Sequence, residues 1–339
     1  MPLFELDDHL PADFRSSALR ADVRAGLTAA PKVLPPKWFY DERGSELFER
    51  ITELPEYYPT RAERAILTER ASEIAALTRA VTLVELGAGS ATKTRLLLSA
   101  LREEGTLRRY VPVDVSAAML AETGRALSRE YAGLSVHAVA ADFEHHLEHL
   151  PRGGRGLTAF LGGTIGNFEP ADRARFLAAV RESVAAGDWL LLGTDLVKDP
   201  SVLVPAYDDA AGITADFNRN VLYVINQELK ADFDPASFEH VAVWDRDREW
   251  IEMRLTARQA HEVRLAELDL TVTFEAGEHL RTEISAKFRQ DGVREELAAA
   301  GFTLVEWWTD RDRQFAVSLS RAVPAGGGSI RSTAMAGRV

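Results

Sequence analysis

The clearest pattern of hydrophobic and polar positions lies between residues 81 and 195, where short apolar runs alternate with longer segments of helical periodicity. Short apolar runs bounded by turn residues are typical of strands buried on both faces. The pattern predicts strands over 82–85, 109–113, 135–140, 157–161 and 188–194, with helices such as 116–131 and 171–185 between them. This alternation predicts an α/β fold with a parallel, doubly wound sheet.

The pattern changes on both sides of this region. Residues 1–60 show no strand periodicity, and the predicted helices before the sheet are 16–27, 44–54 and 61–77. The predicted elements after it are a helix over 201–229, a hairpin within 238–256, strands within 263–274 and 281–285, and a helix over 290–299. The last two strands, 302–308 and 314–320, are joined by a short polar turn, so we expect them to complete the sheet as an antiparallel pair.

The length of 339 residues is sufficient for two domains. We expect a Rossmann-like sheet domain formed by 62–195 and 288–322, and a second α+β domain formed by 9–61 and 196–287. The small and polar end of the chain, 323–339, is expected to be a flexible tail.

Composition narrows the range of functions. The 52 acidic residues outnumber the 40 basic ones, which gives a net charge of −12 and argues against nucleic acid or an anionic membrane as a partner. The chain contains no cysteine, so disulfides, thiolate metal ligands and cysteine nucleophiles are excluded. Neither a signal peptide nor an apolar run long enough to span a bilayer is evident. We therefore expect a cytoplasmic enzyme. As a separate expectation, we take it to be a monomer.

A glycine turn follows the first predicted strand of the sheet. Gly87 and Gly89 stand directly before a helix-forming segment, and glycine lets the backbone approach a ligand beside the free N–H groups of a helix start. Thr92 occupies the position of the third glycine of a dinucleotide fingerprint, so the match is partial. The turn alone is also compatible with a purely structural role.

Acidic residues follow the next two predicted strands. Asp114 stands at the end of the second strand, where a carboxylate normally holds the hydroxyls of a ribose. Asp142 and Phe143 follow the third strand, and a carboxylate beside a ring suits the amine and the face of an adenine. Together with the glycine turn, these residues predict an adenosine-bearing cofactor. A turn without the third glycine resembles the turn of S-adenosylmethionine methyltransferases more than that of nicotinamide dehydrogenases, because the methyltransferases do not have to hold a pyrophosphate.

Longer and more irregular motifs carry a closer resemblance. They are the segments 34–41, 54–61, 162–168, 193–199, 206–210, 217–220, 281–285 and 307–310. These segments resemble the histidine-specific Nα-methyltransferases of ergothioneine biosynthesis, and the resemblance extends over roughly residues 10–320. It implies a class I methyltransferase sheet with a second, substrate-binding domain. It also implies three methyl transfers from S-adenosylmethionine to the α-amine of L-histidine and its mono- and dimethylated forms, giving hercynine and S-adenosylhomocysteine.

The resemblance assigns roles to individual residues. Glu283 and Ser285, two apart in an extended segment, are expected to bind the imidazole of histidine. The other substrate residues that it implies are Asn167 and Tyr207 for the carboxylate, Tyr57 for histidine, Tyr40 near the amine, and Met253 in the pocket wall. The cofactor residues that it implies are Gly87, Lys93, Asp114, Asp142 and Phe143.

Other interpretations remain open from the sequence. A related enzyme could methylate another amino acid such as tryptophan, although Glu283 argues for an imidazole, because a buried carboxylate against an apolar indole is poorly compensated. A nicotinamide dehydrogenase and a non-catalytic binding module are weaker alternatives. His145 and His149 have the spacing of metal ligands on one helix face, but no third ligand accompanies them, and we expect an exposed helix without metal.

Overall fold

The protein is represented by a computed structural model that describes residues 4–11, 13–89, 91–151 and 153–324. Its strands are β1 (Phe4–Asp8), β2 (Lys32–Val33), β3 (Thr82–Leu86), β4 (Arg109–Asp114), β5 (Ser135–Ala140), β6 (Gly156–Phe160), β7 (Trp189–Asp195), β8 (Phe238–Asp245), β9 (Trp250–Ala257), β10 (His261–Leu265), β11 (Leu270–Phe274), β12 (His279–Ala286), β13 (Phe302–Thr309) and β14 (Phe315–Ala322). Its α-helices are α1 (Phe14–Thr28), α2 (Glu42–Thr52), α3 (Pro59–Thr78), α4 (Thr94–Glu103), α5 (Ala117–Glu130), α6 (Pro170–Ser183), α7 (Pro200–Leu203), α8 (Ile213–Leu229) and α9 (Gln290–Ala299).

The larger sheet has eight strands in the spatial order β1-β5-β4-β3-β6-β7-β14-β13. The strands from β1 to β7 pair in parallel, whereas β14 pairs antiparallel with β7 and β13 antiparallel with β14. The five predicted strands and the antiparallel C-terminal pair are therefore confirmed. The carboxyl ends of β3, β4 and β5 lie along one edge, where a doubly wound sheet binds its ligand.

The two faces of this sheet belong to separate hydrophobic cores. Leu83 packs in a core shared with α3 and α4, whereas its neighbour Val84 packs in a core shared with α6 and α9. Successive side chains of a strand point to opposite faces, so both faces of β3 are covered by helices. This arrangement confirms the α/β fold class.

A smaller sheet is formed by strands from outside the large sheet. It has four strands in the order β2-β12-β9-β8, and β10 and β11 form a separate hairpin. Helices α1, α2 and α8 contribute to the core beneath these strands. The predicted hairpin within 238–256 is confirmed as β8 and β9, and the strand predicted within 281–285 is confirmed as β12.

The expectation that residues 1–60 contain no strand is wrong. Strand β1 adds to the edge of the large sheet beside β5, and the two residues of β2 pair with β12. Four of the five residues of β1 are exposed. The segment therefore lacks the alternation of buried and exposed positions that is typical of a half-buried strand. Strand β2 is only two residues long, and it is defined by its partner rather than by its own sequence.

Three further expectations differ from the structure. The helix predicted over 201–229 is interrupted between α7 and α8, and α8 begins directly after Gly212, which has a left-handed φ of 73°. The segment 263–274 contains two strands, β10 and β11, instead of one. The histidine-rich segment forms only a short 3-10 helix, Leu147–His149. Of the predicted tail, residues 325–339 lie outside the described part of the chain.

Candidate active site

The glycine turn lies at the carboxyl end of β3, where it is attached to β4. The backbone N–H groups of Gly87 and Ala88 donate to the carbonyl of Val113, at 2.9 and 3.1 Å. Gly87 and Gly89 have φ of 71° and 50°, a conformation that side chains disfavour. Among the described residues, and apart from its chain neighbours, no heavy atom lies within 4 Å of the position that a Cβ of Gly89 would take, so the backbone there is open to a ligand.

Asp114, Asp142 and Phe143 surround this turn. Asp114 accepts hydrogen bonds from the backbone N–H of Gly89 and of Ser116, at 3.2 and 3.0 Å, and burial raises its pKa. Asp142 is buried, and the ring of Phe143 lies 3.7 Å from where a Cβ of Gly87 would stand. Asp114 and the ring of Phe143 thus lie against the turn, and Asp142 follows the end of the neighbouring strand β5. Two carboxylate acceptors and a ring face fit the ribose and adenine of S-adenosylmethionine.

Lys93 lies on the other side of the turn, and its partner was not predicted. Its ammonium forms an ion pair with Glu63 of α3, whose side chain has no exposed surface. The same carboxylate accepts hydrogen bonds from the backbone N–H of Gly162, at 2.8 and 3.0 Å. Glu63 therefore joins α3, the start of α4 and the loop after β6. Its position within an otherwise ordinary helix sequence gave no signal of this role.

A second buried carboxylate supports the turn from within β3. Glu85 accepts hydrogen bonds from the hydroxyls of Thr94 and Tyr110. Burial raises the pKa of Glu85 to about 7, although both hydroxyls oppose this shift. The residue connects the strand before the turn to the helix after it, so it fixes the geometry of the turn rather than facing a ligand.

Glu283 and Ser285 lie on β12, next to an irregularity in its pairing. The register between β12 and β9 shifts between Arg281 and Glu283, and Met253 of β9 is the cross-strand partner of Glu283. Such bulges re-aim side chains and are frequent beside active sites. Burial raises the pKa of Glu283 to about 7, while the charge of Lys287 lowers it. Met253 is itself buried, as a residue of the pocket wall should be.

Aromatic rings stand close to this strand. The ring centre of Tyr40 lies 5.6 Å from Phe48 and 5.5 Å from Phe217, and Tyr57 lies 6.2 Å from Phe48 and 6.4 Å from Tyr207. Tyr40 is 41% exposed, yet burial of its hydroxyl, followed by the charge of Glu283, raises its pKa above the ordinary value of 10. Phe48 and Phe217 complete this aromatic wall. The sequence assigned no role to either residue, although Phe217 begins one of the motifs.

Asn167 ends a 3-10 helix, Thr164–Asn167, that follows β6. This helix packs against β12 at very short range, since a Cβ on Gly166 would lie only 2.9 Å from the carbonyl oxygen of Ala286. Glycine is therefore required for the close approach. The contact brings Asn167, at the carboxyl end of the large sheet, to the strand that carries Ser285.

Behind Ser285 lies a cluster of buried charges that the sequence did not predict. Lys287 is fully buried, and its Nζ atom lies 2.9 Å from the carboxylate of Asp195. Lys198 lies 2.6 Å from the same carboxylate, and Tyr58 donates to it at 2.8 Å. Burial alone would raise the pKa of Asp195, but the two lysines hold it below its usual value. Asp195 ends β7, so its position at the carboxyl edge of the sheet was the available signal.

Histidine-rich positions do not form a metal site in the part of the chain that the structure describes. No group of three or more potential His, Asp or Glu ligands comes together there. The His149 ring instead stacks on His9, with 4.4 Å between ring centres. Among the helices of the described residues, none is both long and apolar enough to cross a membrane.

The sheet, the open glycine turn and its two carboxylates define a methyltransferase of the S-adenosylmethionine-dependent class. The chain belongs to the family of histidine-specific, S-adenosylmethionine-dependent methyltransferases, whose family model matches residues 19–322. This match confirms the family that the sequence motifs indicated.

Individual relatives agree with this membership. The histidine N-alpha-methyltransferases of Mycolicibacterium smegmatis and Mycobacterium tuberculosis are 58% and 57% identical to the chain, over 93% and 92% of its length and 98% of theirs. An L-tryptophan methyltransferase from Psilocybe serbica is 29% identical, over 90% of this chain and 93% of that protein. This relative carries a different aromatic amino acid in its name, so the substrate has to be argued from the pocket.

Proposed function

We propose that the protein transfers three methyl groups, one at a time, from S-adenosylmethionine to the α-amino group of L-histidine. Its product is then hercynine, the trimethylated betaine used for ergothioneine. The observation that carries this proposal is the Glu283–Ser285 pair on β12, which lies among the aromatic rings of the pocket and is joined to the large sheet through Gly166. The high identity to two histidine N-alpha-methyltransferases supports it.

The ring of the substrate is recognised by Glu283 and Ser285. An imidazole carries two nitrogens, of which a neutral ring has one N–H donor and one acceptor. Glu283 accepts the N–H, and the hydroxyl of Ser285 binds the other nitrogen. An indole offers one N–H and no acceptor, so it would leave one of these polar groups unpaired at a cost of about 1–3 kcal/mol. This difference favours histidine over tryptophan.

The amino-acid end of the substrate is held by Asn167 and the aromatic residues. The amide of Asn167 donates to the α-carboxylate, beside the carboxyl end of the sheet. The Tyr207 hydroxyl, predicted to share this role, lies 2.7 Å from Ser285 and thus near the ring end of the substrate. Tyr40 and Tyr57 line the region of the amine, where their faces favour the positive charge that each methylation retains.

The protein contributes mainly positioning to the reaction. Gly87, Asp114, Asp142 and Phe143 hold the nucleoside, and Lys93 holds the carboxylate of the cofactor. When bound, S-adenosylmethionine would supply an electrophilic methyl group to the amine nitrogen, and its sulfur would keep the electron pair of the carbon–sulfur bond. An amine held behind that carbon gains from proximity alone.

A proton must leave the amine before each transfer. Burial raises the pKa of both Tyr40 and Tyr57 above 10, so these phenols are protonated at neutral pH and do not act as phenolate bases. Two routes then remain: the neutral hydroxyls of Tyr40 or Tyr57 pass the proton to water, or the pocket captures the small neutral fraction of the amine. We also retain the expectation of a cytoplasmic monomer with the two predicted domains.

A product assay tests the proposal. The enzyme is incubated with S-adenosylmethionine and single amino acids, and the products are resolved by mass spectrometry. We expect histidine to gain one, two and three methyl groups in succession, and Glu283→Ala to lose most of this activity. Preferred methylation of tryptophan, or turnover that Glu283→Ala leaves unchanged, would refute the assignment of the substrate.

A further inference from the structure

The side chain of Lys287 has no exposed surface and lies directly behind the proposed imidazole site. Its Nζ atom lies 2.9 Å from Asp195 Oδ2, 2.9 Å from the Tyr207 hydroxyl and 2.7 Å from Ser285 Oγ. An ammonium group has three N–H donors and no acceptor. Each donor of Lys287 therefore has one partner, and two of these partners are hydroxyls of the candidate substrate pocket.

The contact between these two hydroxyls has a preferred direction. They lie 2.7 Å apart, so one of them donates to the other. A phenol is the stronger donor and the weaker acceptor, because its oxygen shares electron density with the ring. Tyr207 therefore donates to Ser285. The Ser285 oxygen then accepts from both Tyr207 and Lys287, which uses both of its lone pairs and leaves its own proton for a ligand.

We propose that Lys287 is a positioning residue that keeps Ser285 a hydrogen-bond donor toward the substrate, so that the pocket selects a neutral imidazole. The proposal rests on the proposed function, because it concerns how the histidine side chain is recognised. A donor at Ser285 requires an unprotonated ring nitrogen opposite it. The other nitrogen then carries the proton and gives it as a hydrogen bond to Glu283, which also fixes the tautomer. An imidazolium would face Ser285 with a second donor.

Lys198 provides a matched control for the charge of Lys287. Its Nζ atom lies 2.6 Å from the same carboxylate, Asp195, and 2.6 Å from the hydroxyl of Tyr58. Among the described residues, its third hydrogen bond goes to the carbonyl of Leu196. Replacing either lysine by Met removes one cation from Asp195, but only Lys287→Met removes a donor from Ser285.

The test compares binding of L-histidine with that of the two pyrrolylalanine isomers, by calorimetry on the full chain saturated with S-adenosylhomocysteine. Each isomer keeps one ring N–H and replaces the other ring nitrogen by carbon. For the wild type we expect the better isomer to bind about tenfold more weakly than histidine, because the Ser285 donor is left unpaired. In Lys287→Met, Ser285 is free to turn its proton back into the protein, and the ratio falls toward one.

Lys198→Met should keep the wild-type ratio. A Lys287→Met variant that discriminates as the wild type does would overturn the proposal, and so would an equal loss of discrimination in Lys198→Met. These ratios separate donor positioning from a merely structural ion pair, since general loosening of the pocket would affect both variants alike.

A second measurement needs no variant and decides the matter even if Lys287→Met does not fold. Nitrogen-15 NMR of labelled L-histidine bound to the wild-type enzyme should show one protonated and one unprotonated ring nitrogen, also at pH 6, where free histidine is largely imidazolium. Two protonated ring nitrogens would overturn the proposal while leaving histidine as the substrate. A wild-type enzyme that neither binds nor methylates histidine would instead refute the proposed function, and this assignment with it.

Discussion

Replacing Glu283 by Gln should make the folded protein more stable at alkaline pH while weakening its binding of histidine. Burial raises the pKa of Glu283 from 4.5 to about 7 in the folded protein. The folded state therefore favours the protonated acid, and the free energy of unfolding falls as the pH rises from about 4.5 to about 7. Each pKa unit corresponds to about 1.4 kcal/mol, so the full effect is about 3 kcal/mol.

Gln is always neutral and has nearly the shape of the protonated acid, so Glu283→Gln should recover this free energy at pH 8. Burial also raises the pKa of Glu85 to about 7. This residue therefore makes the free energy of unfolding depend on pH over the same range, in the variant as in the wild type. The variant should thus lose only the part of the pH dependence between pH 4.5 and 7 that Glu283 contributes, which is about 3 kcal/mol. Histidine affinity should fall about ten- to a hundredfold, because a charge-assisted hydrogen bond of about 1.5–3 kcal/mol is lost.

Urea unfolding at a series of pH values measures the first effect, and calorimetry with histidine and S-adenosylhomocysteine measures the second. Glu295→Gln, on the exposed side of α9, corrects for the general effect of one lost negative charge. Parallel stability curves for wild type and Glu283→Gln would refute the reasoning. A variant that was less stable at pH 8 would show that the carboxylate is compensated more fully than its surroundings indicate.

Three other substitutions test separate parts of the site. Asp114→Asn should weaken S-adenosylhomocysteine binding by about tenfold or more in calorimetry, since a carboxylate acceptor for the ribose is lost; unchanged affinity would remove Asp114 from the cofactor site. Gly166→Ala should raise the KM for histidine more than it lowers kcat, because its Cβ would lie 2.9 Å from the Ala286 carbonyl oxygen and push the 3-10 helix from β12. Tyr40→Phe should slow turnover without moving the midpoint of the kcat/KM pH profile, since burial and the charge of Glu283 keep its pKa above 10; a shifted midpoint would make Tyr40 the titrating group.

The large sheet could be predicted because its strands carry their own signal. Strands β3 to β7 are apolar on both faces, and each is followed by a turn and a helix, so local pattern and global fold agree. Strand β1 could not be predicted in the same way. Its residues are mostly exposed, and its place is fixed by β5, more than a hundred residues further along the chain.

The candidate site also contains residues that could be predicted from the sequence and residues that could not. The position of Gly87, Asp114 and Asp142 at one edge of the sheet could be predicted, because they stand at the ends of successive strands, where position in sequence fixes position in space. Glu283 and Ser285 were accessible only through resemblance, since their spacing alone equally describes a strand at the surface. The burial of Lys287 could not be predicted from the sequence, because a lysine is ordinarily exposed. Its ion-pair partner, Asp195, lies on the other sheet and far away in the sequence.

The buried charges also bear on which form of histidine the pocket favours. Lys198 and Lys287 share Asp195, which leaves one positive charge enclosed at the junction of the two sheets. Such a charge is costly unless a further carboxylate balances it. The charge of Lys287 offsets only part of the burial cost of an ionised Glu283, whose pKa stays raised at about 7. The site is then electroneutral when Glu283 is ionised, and histidine with a neutral ring adds no net charge. An imidazolium would upset this balance, so electrostatics and the donor at Ser285 favour the same form of the substrate.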